Sequence, residues 1–166
     1  MQKTAGESAR AQATTAYRER LSPSLWVLVS AAVVAPMAAL VFAPIDTTVA
    51  LVAGALLGVL FVALLIAGSP VVAVRDGMLH AGRARIPVGL LGEPVALTGD
   101  QARTARGPEL DPRAWHVIRG GIDGLLVVPV TDSDDPAPAW VVSSRTPDRL
   151  AAAIRRSQAA ARAASE

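Results

Sequence analysis

Two stretches decide the fold: LWVLVSAAVVAPMAALVFA, residues 25–43, and VALVAGALLGVLFVALLIA, residues 49–67. Each is a run of 19 residues without a charge, and Asp46 is the only charged side chain between Leu25 and Ala67. As a helix rising 1.5 Å per residue, such a run spans about 28 Å, close to the roughly 30 Å hydrocarbon core of a bilayer. Lipid cannot satisfy exposed backbone N–H and C=O groups, so a spanning segment of this kind has to be helical. Pro44 to Thr48 leave room only for a tight hairpin between the two. Ser22, ahead of Pro23, is the expected cap of the first helix, and Asp46 or Thr47 that of the second. The rival reading of the first run is a cleaved signal peptide, because Val41-Phe42-Ala43 resembles a cleavage site. The run is longer than the h-region of about 7–15 residues that signal peptides carry, Pro44 would follow the cut, and a second apolar run follows at once. The expectation is therefore a transmembrane hairpin over residues 23–69.

Lys and Arg near the spans set the orientation. Lys3, Arg10, Arg18 and Arg20 precede the first span, the hairpin carries neither residue type, and Arg75, Arg83 and Arg85 follow the second. A cell (inner) membrane protein with both termini cytoplasmic is expected, with residues 1–22 as a cytoplasmic segment and Trp26 at the inner interface. Small residues mark the helix faces. Gly54 and Gly58 form a GxxxG in the second run, and Ala31, Ala35 and Ala39 form two overlapping small-xxx-small steps in the first. They predict packing within the hairpin, with self-association or docking onto another membrane protein as the alternative. Pro36 is a candidate kink. No ionisable residue lies inside either run, which argues against a pump, channel or transporter built from this chain alone.

Composition agrees. Of the 166 residues 52% are hydrophobic and 18% charged, against about 25% charged in a soluble domain, and mean hydropathy is +0.40. A disordered chain, a coiled coil and a basic nucleic-acid-binding tail are excluded. The pI of 9.9 reflects 15 arginines against one lysine rather than a large excess of charge, since the net charge is only +2. No nucleic-acid partner is expected. With no cysteine, disulfides, thiolate nucleophiles and Cys-based zinc sites are excluded. The preference for Arg over Lys, with abundant Ala, Val and Gly, points to a GC-rich bacterial genome.

The character of the chain changes at Val71. Residues 71–166 carry 12 Arg against 11 Asp and Glu, a nearly balanced surface. Val71–Val74, Met78–Ala81, Arg85–Val88, Pro94–Leu97, Trp115–Ile118, Leu125–Val130 and Ala139–Ser143 read as short strands, and Asp76-Gly77 as a two-residue hairpin turn. They predict a small antiparallel β domain over 71–146, an open sheet or a barrel. A helix over 147–166 closes it, with Thr146 as N-cap, Pro147 at the first helical position and Asp148 in the first turn. Its period places Leu150, Ala153, Ile154, Ser157 and Ala161 on one face and Arg149, Arg155, Arg156 and Arg162 on the other. The basic face is either solvated or set against anionic lipid. The fold class is thus α+β: a two-helix membrane hairpin, a small β domain and a closing helix.

No catalytic constellation emerges: there is no G-x-S-x-G, Walker loop, G-x-G-x-x-G or H-E-x-x-H. His80 and His116 fall on different strands and lack a set of further metal ligands. Asp132, Asp134 and Asp135 fail the EF-hand pattern, since Ala137 and Ser143 stand where it needs Gly and Glu. Neither metal nor cofactor is expected. The richest segment is 103–113, where Arg103, Arg106, Glu109, Asp111 and Arg113 stand among Pro108 and Pro112. It reads as an ordered loop whose charges either pair with one another or meet a partner. Arg106, Asp111 and Arg113 are the candidate interaction residues, with Trp115 and Trp140 as aromatic anchors.

Several motifs carry a resemblance. Tyr17-Arg18-Glu19-Arg20-Leu21 stands before the first span and Ser69-Pro70-Val71 after the second. Then come Gly82-Arg83-Ala84-Arg85-Ile86-Pro87, Arg106-Gly107-Pro108-Glu109, Asp111-Pro112-Arg113-Ala114-Trp115 and Trp140-Val141-Val142-Ser143-Ser144-Arg145-Thr146-Pro147. In this order, over roughly residues 17 to 156, they resemble an actinobacterial family of small membrane proteins, the domain of unknown function numbered 3093. The resemblance implies a two-span membrane protein with a small cytoplasmic domain and no assigned activity. The strands closed by one helix are also similar to a bacterial pleckstrin-homology-like domain, a likeness of fold that implies no function. Two functions remain open: a non-enzymatic membrane-tethered interaction module or accessory subunit, and an enzyme acting on a membrane-associated or anionic substrate through 103–113.

Overall fold

A computed structural model describes residues 16–44 and 46–164. Lys3 and Arg10 of the N-terminal charge pattern, and the first fifteen residues of the expected cytoplasmic segment, lie outside the described residues. So does Ile45 of the hairpin. The elements in chain order are β1 (Tyr17–Arg20), α1 (Leu25–Ala32), α2 (Val34–Phe42), α3 (Thr47–Ala67), β2 (Val71–Arg75), β3 (Met78–Ala81) and β4 (Ala84–Pro87). A 3-10 turn (Val88–Leu90) leads to β5 (Val95–Leu97), α4 (Gly99–Arg106), β6 (Trp115–Val117), β7 (Leu125–Pro129), β8 (Ala139–Ser143) and α5 (Pro147–Ala163). They form two compact units. One lies within Ser22–Ser69 and takes in Arg119–Gly121; the other takes the described residues up to Leu21, Pro70–Ile118 and the described residues from Ile122 onward.

The helical unit follows from its apolar sequence. Leu25–Phe42 and Thr47–Ala67 are long and apolar enough to cross a membrane, by length and composition. Ser24, not Ser22, caps α1, accepting from the Val27 N–H at 3.5 Å. Pro23 pushes the residue before it away from helical backbone, so the helix begins two residues later than Ser22 would place it. The first stretch breaks at Val33 because Pro36 has no N–H to give the Ala32 carbonyl. Asp46 caps α3, accepting from Thr48 N–H at 2.7 Å and Val49 N–H at 3.0 Å. The small residues face one another. A Cβ added at Gly54 would stand 2.6 Å from the Ala35 carbonyl oxygen and 2.9 Å from Ala39 Cβ, and one at Gly58 would stand 2.7 Å from Ala35 Cβ. Ala31, Ala50, Gly54 and Gly58 are the buried positions of these helices. The hairpin is therefore held by close backbone approach at its small residues.

The second unit holds two four-stranded sheets that do not close into a barrel. The first, in order β1-β2-β3-β4, is antiparallel throughout. Asp76 and Gly77 both take positive φ, 53° and 71°, which is the turn their sequence demands between β2 and β3. The second sheet runs β5-β7-β8-β6. Its β6–β8 pair is parallel, so the expected all-antiparallel domain is mixed. A parallel pair needs a long connection, and the residues from 118 to 138, which include the central strand β7, supply it. Local pattern predicts no strand before residue 71, yet Tyr17–Arg20 pairs with Val71–Val74 as an edge strand.

The two faces of the second sheet are both covered. Leu126, Val128, Trp140 and Val142 join Leu150 and Ile154 in the main core. On the opposite face Leu125 and Val141 pack with Ala102 of α4 and Ala114. Burial on both faces explains why β7 reads as a continuous apolar run rather than an alternating one. On α5 the buried stripe includes Gln158 where Ser157 and Ala161 were expected; Ser157 is half-buried and Ala161 exposed. The Gln158 amide donates to the carbonyls of Val88, Leu91 and Gly92 at 3.1, 2.8 and 3.2 Å, so a polar side chain satisfies the 3-10 turn from within the core.

Gly58→Leu should destabilise the hairpin by about 1–3 kcal/mol, the usual cost of overpacking a tight contact. The thermal midpoint of the full chain in detergent should fall, while Val52→Leu, at an exposed position, leaves it unchanged. Equal midpoints for the two variants would refute the packing role.

Candidate functional site

The segment 103–113 is not one loop. Residues up to Arg106 complete helix α4, which starts at Gly99, and only the stretch from Gly107 onward is irregular. Arg103 pairs with Asp100 one turn earlier at 2.9 Å. Arg106 donates to the Ile122 carbonyl at 2.8 Å, which turns its guanidinium inward to a structural contact. Asp111 accepts from the Arg113 backbone N–H at 2.8 Å and lies 3.3 Å from its guanidinium. That backbone bond first, and the guanidinium after it, hold the Asp111 carboxyl below the usual carboxylate range. The candidate residues of the segment are therefore not brought together into one site.

The two tryptophans do meet. Trp115 and Trp140 are register partners on the parallel strands β6 and β8, with ring centroids 6.0 Å apart at 43°. Trp140 is buried and Trp115 is 39% exposed, so the pair fixes the strands and leaves one indole edge at the surface. His80 and His116 lie on separate sheets. Asp132 and Asp135 accept from the Asp134 and Ala137 N–H groups at 3.0 and 2.8 Å, as turn carboxylates do. Among the described residues no group of three or more His, Asp and Glu could hold a metal ion.

A polar cluster forms elsewhere, between the first strand and the start of the last helix. Glu19 is its hub. Its Oε2 accepts from the Tyr17 hydroxyl at 2.6 Å and the Ser144 hydroxyl at 2.7 Å. Its Oε1 accepts from the Arg145 N–H at 2.9 Å and faces the Arg145 guanidinium at 3.5 Å. The Tyr17 hydroxyl also lies 2.9 Å from that of Thr146, and the Thr146 N–H donates to Ser144 Oγ at 3.0 Å. Arg145 reaches the Arg20 carbonyl as well, at 3.2 Å. Burial, and then the hydrogen bond to Glu19, push the Tyr17 phenol above its ordinary value. Beside the cluster opens a cavity of about 570 Å³ lined by Arg18, Glu19, Arg145, Thr146, Arg149 and Arg156, with Tyr17 and two alanines. Hydrophobic periodicity could not find this cluster, because its partners are polar and about 125 residues apart in sequence; the one visible signal was the repeated Arg at 145, 149 and 156.

Tyr17 is the single tyrosine of the chain, so tyrosinate absorbance reports on it alone. Its midpoint should lie above 10.0 and move down in Glu19→Gln, which removes the neighbouring charge. The sign for stability follows: a raised folded-state value contributes stability that is complete below the unfolded phenol's pKa and is lost as pH rises through the folded one. Glu19→Ala, which removes the acceptor shared by the Tyr17 and Ser144 hydroxyls, should cost about 1–3 kcal/mol. A Glu19→Gln midpoint equal to that of the parent would refute the coupling.

No curated protein and no solved structure matches the chain. A family model described as a protein of unknown function (DUF3093) matches residues 16–154. That span runs from the first residues of β1 to the second turn of α5, so it takes in both partners of the Glu19 cluster. The chain belongs to this family of unknown function, DUF3093.

Proposed function

We propose that the protein is an integral membrane protein of the inner membrane, crossing it twice with both termini in the cytoplasm, and that it presents its β unit there as a non-enzymatic interaction module or accessory subunit. One observation carries the reading: only 6% of the first apolar stretch and 17% of the second is buried. The core helices of a soluble protein would be mostly buried, and here Leu25, Trp26, Leu40, Val41, Leu56 and Val59 are all more than 60% exposed. An apolar surface of this extent needs a covering solvent, and lipid is the one that fits two such helices.

Two further facts support the topology. Arg18 and Arg20 precede the helices, Arg75, Arg83 and Arg85 follow them, and residues 44–48 carry neither Lys nor Arg. β1 and β2 flank the helical stretch and pair with each other, which supports a chain that leaves and returns on one side of the bilayer. An interaction module is favoured over an enzyme because Arg103 is spent on Asp100, Arg106 on a backbone carbonyl, and Asp111 and Arg113 on each other. Two sheets with a closing helix fit a pleckstrin-homology-like architecture, from which the parallel β6–β8 pair departs. The arginine bias fits an actinobacterial source.

The chain has no cysteine, so single cysteines at Thr47 and at the exposed Ala160 report topology directly. An impermeant maleimide applied to intact cells should label Thr47→Cys and spare Ala160→Cys, with the protein resisting alkaline extraction from membranes. Labelling of Ala160→Cys alone, or release into the soluble fraction, would overturn the assignment.

A further inference from the structure

We infer that the cavity between β1 and the first three turns of α5 is an anion-binding site for a phosphate group, carried either by a soluble phosphate compound or by a phospholipid headgroup. Its four arginines, Arg18, Arg145, Arg149 and Arg156, face one carboxylate, that of Glu19. Glu19 is already committed to Tyr17, Ser144 and Arg145. Arg18, Arg149 and Arg156 take part in none of the four ion pairs among the described residues. Arg155, next in sequence to Arg156, shows the contrast: it leaves the cavity to bind Glu93 and the Pro94 carbonyl.

The helix geometry builds the site. Arg149 and Arg156 are seven residues apart, two turns on one face, and Ala152 lies between them on the same wall. A longer side chain at Ala152 would fill the space that the guanidiniums surround. The wall begins at the N-terminal end of α5, where Thr146 lines the cavity and the helix dipole adds positive potential. Asp148 stands in that first turn but is not among the lining residues. A volume of about 570 Å³ lies within the range of small-molecule sites, roughly 300–1,000 Å³.

The positive potential extends past the cavity. Arg18 also borders a second concavity, about 390 Å³, that holds Arg75 and His80. Strand register sets Arg18, Ala73, His80 and Arg85 in one row across the first sheet. Burial, and then the charges of Arg75 and Arg85, hold His80 below its ordinary value. Three unpaired forks around one space suit a tetrahedral phosphate, which accepts from several directions, better than a carboxylate, which one fork satisfies. The inference rests on the β unit alone and does not depend on the membrane reading.

The test uses the full chain in a neutral detergent, titrated calorimetrically with inorganic phosphate and, separately, with dihexanoyl phosphatidylglycerol. Dihexanoyl phosphatidylcholine, whose headgroup has no net charge, is the control. Saturable binding is expected, weakened at least tenfold in Arg149→Gln and Arg156→Gln and changed less than twofold in Arg155→Gln. Binding of inorganic phosphate assigns a soluble ligand. Binding of the phosphatidylglycerol alone, with the phosphatidylcholine silent, assigns a headgroup. Phenylglyoxal modification of the unmutated chain keeps the test decisive if a variant misfolds: the bound probe should protect Arg149 and Arg156 and leave Arg113 reactive. Absence of saturable binding by either probe, equal loss in Arg155→Gln, or unselective protection would overturn the proposal. A failure of the membrane reading would appear in the extraction and labelling experiment and not here.

Discussion

The carboxylate of Glu19 is the interaction on which the β unit depends. It ties an edge strand formed before the apolar stretch to the junction between β8 and α5, some 125 residues later in the chain. Without it, β1 would be four residues held by backbone pairing to β2 and, across to α5, by the Tyr17 hydroxyl at Thr146, a marginal arrangement for a strand so short. The Leu21 N–H donates to the Pro70 carbonyl at 2.9 Å, so the chain departs and returns at one point. Closing so long an excursion costs entropy that grows only slowly with its length. Hydrogen bonds to a charged acceptor, two of them part-buried and each worth about 1.5–3 kcal/mol, help to offset it. Leu21, fully buried directly after β1, adds the apolar half of the same anchor.

This dependence explains what could be read in the sequence and what could not. The two apolar runs, the Asp76-Gly77 turn, strands β2 to β8 and the closing helix were legible, because each shows a run length, a period or a turn residue with a local cause. The alanine and glycine faces were legible for the same reason, since Gly54 and Gly58 meet Ala35 and Ala39 as their spacing implies. β1 was not. Tyr17 and Glu19 are half-buried while Arg18 and Arg20 are exposed, an alternation of polar with polar that carries no hydrophobic signal. Helix α4 was hidden likewise: Ala102 is its only buried residue, and its Arg-rich surface reads as a loop.

The candidate interaction residues fared according to their partners. Density of charge drew attention to 103–113, but charges close in sequence are the ones most able to satisfy each other, as Asp100 with Arg103 and Asp111 with Arg113 do. The arginines of α5 looked like an undifferentiated basic face. Tertiary structure sorts them, giving Arg155 to Glu93 and setting Arg149 and Arg156 on the cavity. Sequence position cannot make that distinction, because it is set by which carboxylates the fold brings within reach.

The arginine bias itself gains a physical reading. Arg145 and Arg155 each serve a carboxylate and a backbone carbonyl: Arg145 pairs with Glu19 and donates to the Arg20 carbonyl, and Arg155 donates to Glu93 and to the Pro94 carbonyl. Arg106 uses its guanidinium on the carbonyl of Ile122. A guanidinium presents five N–H donors in a fixed plane, so one side chain can serve two acceptors held at a set angle, and it stays charged at any pH the fold survives. A lysine ammonium is a point donor on a flexible stem and would lose more freedom in holding both. The acceptors served lie where regular structure stops, at the end of β1, in the approach to β5 and beyond α4. Arginine thus closes the gaps that a small two-sheet core leaves at its margins. The same chemistry, wherever the fold provides no internal acceptor, leaves a planar cation directed at whatever anion arrives.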